Sequence, residues 1–494
     1  MNFQSTRDNA KAPYSASQVI KQGLANDGGL FVPDSIPTLS NEELLEICKD
    51  SYPRAAAKIL AKFLSDYTFN ELLEDCESAY SETSFPGGAA PLKKVNDNTY
   101  SLELWHGPTA AFKDMALQVM PRLLSRALVK TGEERTALIL VATSGDTGKA
   151  ALEGYRDVER VKIMVYYPEN GVSRVQKLQM TTQTGSNVNV CAIKGNFDDA
   201  QSGVKKIFSD KEVAAKLDSM NHFLSSANSI NWGRLAPQIV YYVKSYCDLI
   251  ESGEIKLGDT VNVCVPTGNF GNIFAAYIAK LMGVPLGKLI CASNANNILT
   301  DFLNTGSYDK NRDFYMTMSP SMDILISSNL ERLLYFVAGS EKTTAYMNSL
   351  AKTGAYTVDA ETKAEIDKNF VGYCSGEEST AKTIRKYFEE YGYLMDTHTA
   401  VAFNSMEQYR EQTGDDTKTI VASTASPYKF ANDVYISLFG SAPSDELSAL
   451  DELSARTGTE IPYPLKNLAE RKVNFTRVVE SGEMLDEVYA YLNK

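Results

Sequence analysis

The sequence predicts an α/β protein carried by buried parallel strands, with a mostly helical region at its amino end. Two patterns support this. After residue 91, short β-branched runs that are almost continuously apolar alternate with helical stretches, as strands covered by helices on both faces do. Before residue 86, apolar positions recur every three or four residues, the spacing of amphipathic helices. The length of 494 residues is also too great for one ordinary core and implies roughly two to four domains.

The N-terminal helices are expected within 40–47, 55–64 and 69–74, after which Pro86-Gly-Gly-Ala-Ala-Pro91 breaks the pattern. Strands are expected within 136–142, 161–167, 188–192, 261–265, 288–292 and 417–422. The chain then divides into a helical domain at 1–90, an α/β catalytic region at 91–435 and an extension of helices and strand at 436–494 packing on that region. The catalytic region would hold two α/β subdomains, the smaller at about 115–225.

Composition narrows the class. Apolar residues make up 44% and charged residues 22%, the balance of a soluble globular protein. No apolar run approaches the ~20 residues that cross a bilayer, and Met1–Asp8 has no apolar export core, so a cytoplasmic location without membrane partners is expected. The seven cysteines form no Cys-x-x-Cys pair and read as reduced thiols rather than a disulfide frame. The three histidines, His106, His222 and His398, show no metal-ligand spacing, and no metal is expected. A formal charge of −13 argues against nucleic-acid binding and requires any anionic ligand to be held by local donors.

In such a fold ligands sit in the turns that lead from strand ends into helices, and three turns here have unusual chemistry. In Val265-Pro-Thr-Gly-Asn-Phe-Gly-Asn272 a strand ends at Pro266 and a helix is expected from near Ile273. Gly268 and Gly271 let the backbone turn its N–H groups toward one point, and the helix dipole adds to that cup, so a phosphate is its natural guest. A ligand-free glycine turn remains the alternative. The segment lacks the Lys-Ser/Thr of a Walker loop and the three-glycine spacing of a dinucleotide fingerprint. In Val141-Ala-Thr-Ser-Gly-Asp-Thr-Gly148, Ser144, Thr147 and backbone amides could receive a carboxylate, or Ser144 or Asp146 could simply cap the helix. In Val421-Ala-Ser-Thr-Ala-Ser-Pro427 the hydroxyl cluster reads first as a cap for the next helix. Lys113, in Leu104-Trp-His-Gly-Pro-Thr-Ala-Ala-Phe-Lys-Asp114, looks locally like a surface lysine, although Ala110, Ala111 and Phe112 crowd it with apolar groups that favour a neutral, nucleophilic amine. Asp114 acts in the opposite sense. These local readings do not name a reaction.

The segment Leu104–Gln118 resembles the cofactor-lysine segment of threonine synthases. So do Ser5-Thr-Arg7, Gln22–Pro33, Ala142–Gly148, Gly195–Gln201, Asn228-Ser-Ile-Asn-Trp-Gly-Arg234, Pro266–Asn272 and Ser423-Thr-Ala-Ser-Pro427, all in family order. The length and helical N-terminal region are similar to the longer bacterial and fungal type rather than the plant type governed by S-adenosylmethionine.

The resemblance implies a tryptophan-synthase-β-like, fold type II enzyme that uses pyridoxal phosphate to convert O-phospho-L-homoserine and water to L-threonine and phosphate. On that resemblance Lys113 would hold the cofactor and move protons at Cα and Cβ of the substrate. Gly268, Asn269, Phe270, Gly271 and Asn272 would bind the cofactor phosphate, and Thr424 would face its ring nitrogen. Ser144, Gly145, Asp146 and Thr147 would meet the substrate carboxylate. Asn228, Ser229, Asn231 and Arg234 are the candidates to grip the leaving phosphate, ahead of Lys149, Arg174 and Lys177; for Arg234 a structural salt bridge is an equal alternative. Ser426 and Tyr428 stand where the family has His and Ala. A related phospholyase, eliminating phosphate and releasing 2-oxobutyrate, is the rival activity. A monomer or homodimer is expected.

Overall fold

The structure, a computed structural model, describes residues 1–143 and 145–493. Among the described residues eleven strands build the two large sheets, and four short ones pair into two small two-stranded sheets. In chain order the eleven are β1 Leu92–Asn96, β2 Thr99–Glu103, β3 Thr136–Ala142, β4 Val161–Pro168, β5 Val188–Lys194, β6 His222–Ser225, β7 Val261–Pro266, β8 Leu286–Ser293, β9 Phe370–Cys374, β10 Thr419–Ser423 and β11 Val478–Glu480. The larger sheet runs β9-β8-β7-β10-β2-β1 and is parallel except where β1 lies antiparallel to β2. The smaller sheet runs β11-β5-β4-β3-β6 and is parallel throughout.

All six expected runs are strands. Their side chains are buried almost without interruption, as at Val261–Pro266 where every residue is inside. That is what a parallel strand covered on both faces requires. The other five strands carry weaker patterns. Leu92–Asn96 is an edge strand with two exposed lysines, Phe370–Cys374 is interrupted by Gly372, and Val478–Glu480 has only three residues.

The amino end forms the expected helices, at Asn41–Cys48, Tyr52–Phe63 and Phe69–Ala79, with another at Ala16–Gln22. Ser15, Ser40 and Thr68 each accept from the amide three residues on while the side chain there reaches back, which satisfies two orphan N–H groups at each helix start. Trp232, fully buried, locks this region to the long helix Trp232–Glu251. Its ring meets Phe3 edge-on at 5.4 Å and Phe63 at 5.7 Å, with the Arg332 guanidinium over its face at 5.7 Å. Trp232→Ala is expected to lower unfolding free energy by about 3–5 kcal/mol, read as a shift in denaturant midpoint. The loss should fall toward the smaller value, because Nε1 has no acceptor among the described residues and its removal relieves an unsatisfied donor.

The segment after residue 436 does not stay on one half of the molecule. Leu450, Leu453, Leu465 and Leu468 pack into the core beside the larger sheet. β11 then joins the edge of the smaller sheet, and Val479, Met484 and Val488 pack into that sheet's own cluster.

Candidate active site

The turns that follow β3, β7 and β10 converge, as the placement of ligands at the carboxyl ends of parallel strands predicts. The Lys113 segment enters between them and is fastened to the strand end it faces. Phe112 N–H donates to the Thr424 carbonyl at 2.8 Å, Ser426 N–H donates to the Ala110 carbonyl at 3.1 Å, and Ala111 bridges Ala425. These bonds fix Lys113 and Thr424 side by side. Asp114 turns away from the lysine: its carboxylate accepts from the Thr109 amide at 2.8 Å and the Thr109 hydroxyl at 2.6 Å, and burial pushes it up to about 6.

Lys113 is buried, with its Nζ 3.2 Å from Asp146 Oδ2 and 3.4 Å from Ser321 Oγ. Burial pulls the amine below the ordinary lysine range; Asp146 opposes that pull, while Lys429 and Arg234 reinforce it by like charge. The site therefore favours the neutral, nucleophilic form.

Asp146 does not cap its helix. The N-cap of Asp146–Tyr155 is Gly145, without a side-chain cap, and the Asp146 carboxylate points into the site instead. Gly145 adopts φ +137°, and a Cβ there would lie 2.4 Å from the Gln176 side chain, so only glycine fits. Thr147 is half-buried in the helix's first turn, and Ser144 lies outside the described residues.

The turn after β7 has the shape of an anion cup. Phe270 takes φ +60°, a left-handed conformation unusual for a side-chain-bearing residue, and the helix Gly271–Leu281 begins two residues earlier than Ile273. The N–H groups of Gly268, Asn269 and Phe270 meet no protein acceptor among the described residues. Asn272 gives its Oδ1 to the hydroxyls of Tyr241 and Tyr242, which leaves Nδ2 buried without a partner among the described residues. Free donors at a helix start suit a phosphate. Gly268 also packs against the Ser321 turn, where a Cβ would lie 2.8 Å from the Ser321 carbonyl oxygen. The residues present therefore fit pyridoxal phosphate: a poised amine, a phosphate cup and a hydroxyl at Thr424.

The four candidates for the second anion separate. Arg234 is buried and pushed down to about 10 by burial, and it pairs with no carboxylate among the described residues. Among the described residues its guanidinium makes one hydrogen bond, 2.8 Å to the Ala227 carbonyl, which speaks against the salt-bridge alternative. Ser229 is half-buried, and its hydroxyl accepts from Asn329 at 3.1 Å; Asn228 is exposed. Asn231 is a correction to the sequence reading. Its amide is consumed by the Gly233 N–H and the carbonyls of Ile20 and Ser226, so it shapes the turn rather than facing a ligand. Lys149 is likewise committed, to Glu153 at 2.9 Å and to Gln183. Arg174 is exposed, 3.7 Å from Asp445.

Sequence reasoning missed Lys429, Gln176, Ser321 and the pair His398–Asp396. Lys429 Nζ lies 2.9 Å from Asp146 Oδ1, and Gln176 Nε2 donates to the same oxygen at 2.9 Å. The Ser321 amide donates to His398 Nε2 at 3.1 Å, and His398 Nδ1 lies 2.7 Å from Asp396. The one available signal was a lysine embedded in the apolar run Pro427-Tyr-Lys-Phe-Ala431. Ser426 caps the turn at Pro427–Phe430, and the Tyr428 hydroxyl reaches Thr459.

Two α/β units meeting at a buried lysine and a left-handed donor loop define a fold type II pyridoxal-phosphate-dependent enzyme, and residues 89–424 match the family described as pyridoxal-phosphate dependent enzyme. Residues 2–80 match the threonine synthase N terminus, and residues 399–488 the threonine synthase C-terminal family. The chain is 38% identical to threonine synthase from Pseudomonas aeruginosa over 453 residues, 90% of this chain and 92% of that one. Its fold superposes with a TM-score of 0.88 on the crystal structure of PLP-bound threonine synthase from Brucella melitensis, at 36% identity, covering 100% of this chain and 98% of that one. The chain belongs to the threonine synthase family. It is also 40% identical to human threonine synthase-like 1 over 428 residues, but spans only 57% of that longer protein.

Proposed function

We propose that this chain is a lyase of amino-acid biosynthesis that converts O-phospho-L-homoserine and water to L-threonine and phosphate. The observation that carries this reading is an uncompensated cation beside the lysine. Arg234 is a buried guanidinium without a carboxylate among the described residues, and its charge acts on Lys113. It adds to the free N–H donors of Gly268, Asn269 and Phe270, so the site offers more anion-binding capacity than a cofactor phosphate alone requires.

Bound pyridoxal phosphate supplies the electron sink that acidifies the substrate's Cα and Cβ hydrogens. Lys113 would hold the cofactor and carry protons at those two carbons. The loop at Gly145–Thr147 receives the substrate carboxylate. Arg234, with Asn228 and Ser229, holds the phosphate as it leaves Cγ, and charge-assisted bonds to a departing anion are worth most in a dry site. Asn231 orients that turn. Thr424 would face the ring nitrogen with a neutral hydroxyl, which does not require that nitrogen to be protonated. Water then adds at Cβ, so closure of the smaller subdomain at about 115–225 would admit it late.

The three-part division at 1–90, 91–435 and 436–494 belongs to this reading, as do a cytoplasmic location, a monomer or homodimer, and the absence of nucleic-acid and membrane partners. The charge of −13 is consistent with the last, and no helix among the described residues is long and apolar enough to cross a membrane. Incubation with O-phospho-L-homoserine should release threonine and phosphate in equal amounts, as read by amino-acid chromatography. Phosphate with 2-oxobutyrate in place of threonine would make the protein a phospholyase instead.

A further inference from the structure

Asp146 is shared between two buried lysines. Oδ2 faces Lys113 Nζ at 3.2 Å and accepts from Ser321 Oγ at 3.1 Å; Oδ1 faces Lys429 Nζ at 2.9 Å and accepts from Gln176 Nε2 at 2.9 Å. The Lys429 side chain has no exposure, and its other contact is the Thr109 carbonyl at 2.9 Å. It therefore faces only acceptors, which suits an ammonium ion. Lys113 faces the same carboxylate, but its wider surroundings include two cations, Lys429 and Arg234. Behind Lys429 lie Asp114 and Lys149, the latter paired with Glu153. One carboxylate cannot compensate two ammonium ions in so dry a site.

We propose that Lys429 is a positioning residue that claims the charge of Asp146 and so keeps the Lys113 amine neutral and available near neutral pH. It comes from the turn after β10, whereas Asp146 comes from the helix after β3, so the pair also ties the two α/β units together across the site. Lys429 touches no reacting atom in this account; it acts through Asp146. The inference rests on the reading of Lys113 as the cofactor lysine.

The test is the pH dependence of Lys113 acetylation by trace acetic anhydride in the full-length chain freed of cofactor, followed by mass spectrometry of the Lys113 peptide. In Lys429→Met the undivided charge of Asp146 falls on Lys113, and the labelling midpoint should rise by ~1 pH unit or more. Lys429→Arg should stay within ~0.3 unit of the parent, and Asp146→Asn should lower the midpoint. In the Asp146→Asn background Lys429→Met should produce less than half its shift, since only direct repulsion between the lysines remains. In the holoenzyme the acid limb of kcat should move with the labelling midpoint. A loss of folding or of cofactor content with an unmoved midpoint would mark a purely structural role and overturn the proposal. Equal shifts in the two backgrounds would also overturn it, as would an Asp146→Asn midpoint at the parent value. If Lys429→Met does not accumulate, Lys429→Gln, which can still donate to the Thr109 carbonyl, is read in the same way. Borohydride fixation of the holoenzyme that labels a peptide other than that of Lys113 would instead sink the reading beneath the inference.

Discussion

Lys113→Ala should leave a folded protein that shows no visible absorbance from lysine-bound cofactor and has lost turnover by ~10⁴-fold or more, beyond the 10²–10⁴ typical of a single acid–base group. Two roles are lost at once, because the same nitrogen holds the cofactor and carries protons at adjacent carbons. The fold should survive. Lys113 is an N-cap residue without a side-chain cap bond, and the backbone bonds that pin its segment to Thr424 and Ala425 do not use its side chain. Removing the buried amine takes from Asp146 one of its two lysine partners, while Lys429 keeps the carboxylate compensated. Absorbance spectra and single-turnover assays on one preparation check both parts. A visible band that persists in the variant would move the cofactor to another lysine.

Arg234→Gln should raise KM for O-phospho-L-homoserine and lower kcat/KM by ~10²–10³, the usual cost of losing one donor to a developing anion. Stability should run the other way. The parent buries a guanidinium whose one hydrogen bond among the described residues is to the Ala227 carbonyl, and burial pushes it down to about 10, so its charge costs stability that a bound anion offsets. Inorganic phosphate should therefore raise the melting temperature of the parent holoenzyme and leave that of Arg234→Gln unchanged. A variant with parental KM and an undiminished response to phosphate would place the clamp elsewhere.

The sequence made legible what depends on short-range pattern. Strands buried on both faces announce themselves as apolar runs, and the cup at 268–272 announces itself through glycine spacing and a following helix. Lys113 is different. Its neighbours in sequence look unremarkable, and what marks it is a carboxylate 33 residues later, together with Ser321 and Lys429. Asp146 is open in sequence between a helix cap and a site residue, and its position after a glycine at φ +137° turns it toward the lysines. Asn231 enters as a clamp candidate through the family resemblance, whereas the three bonds of its side chain all go to backbone. Such assignments depend on which partner is nearest in space, and spacing along the chain does not carry that information. The missed strands failed for another reason: edges and three-residue pairings bury too little apolar surface to leave a pattern.

The path of the last strand bears on how the molecule is assembled. Every strand of the larger sheet is made by residue 423, but β11 pairs with β5, and Glu480 meets Lys194 across 286 residues of intervening chain. During synthesis the outer edge of β5 therefore stays bare until the ribosome has added residues 478–480, an exposed template for stray pairing. Closing so long a loop is slow. The half of the protein that contributes Asp146 is thus completed after the larger sheet, and a nascent chain would finish that half only once residue 480 has been translated.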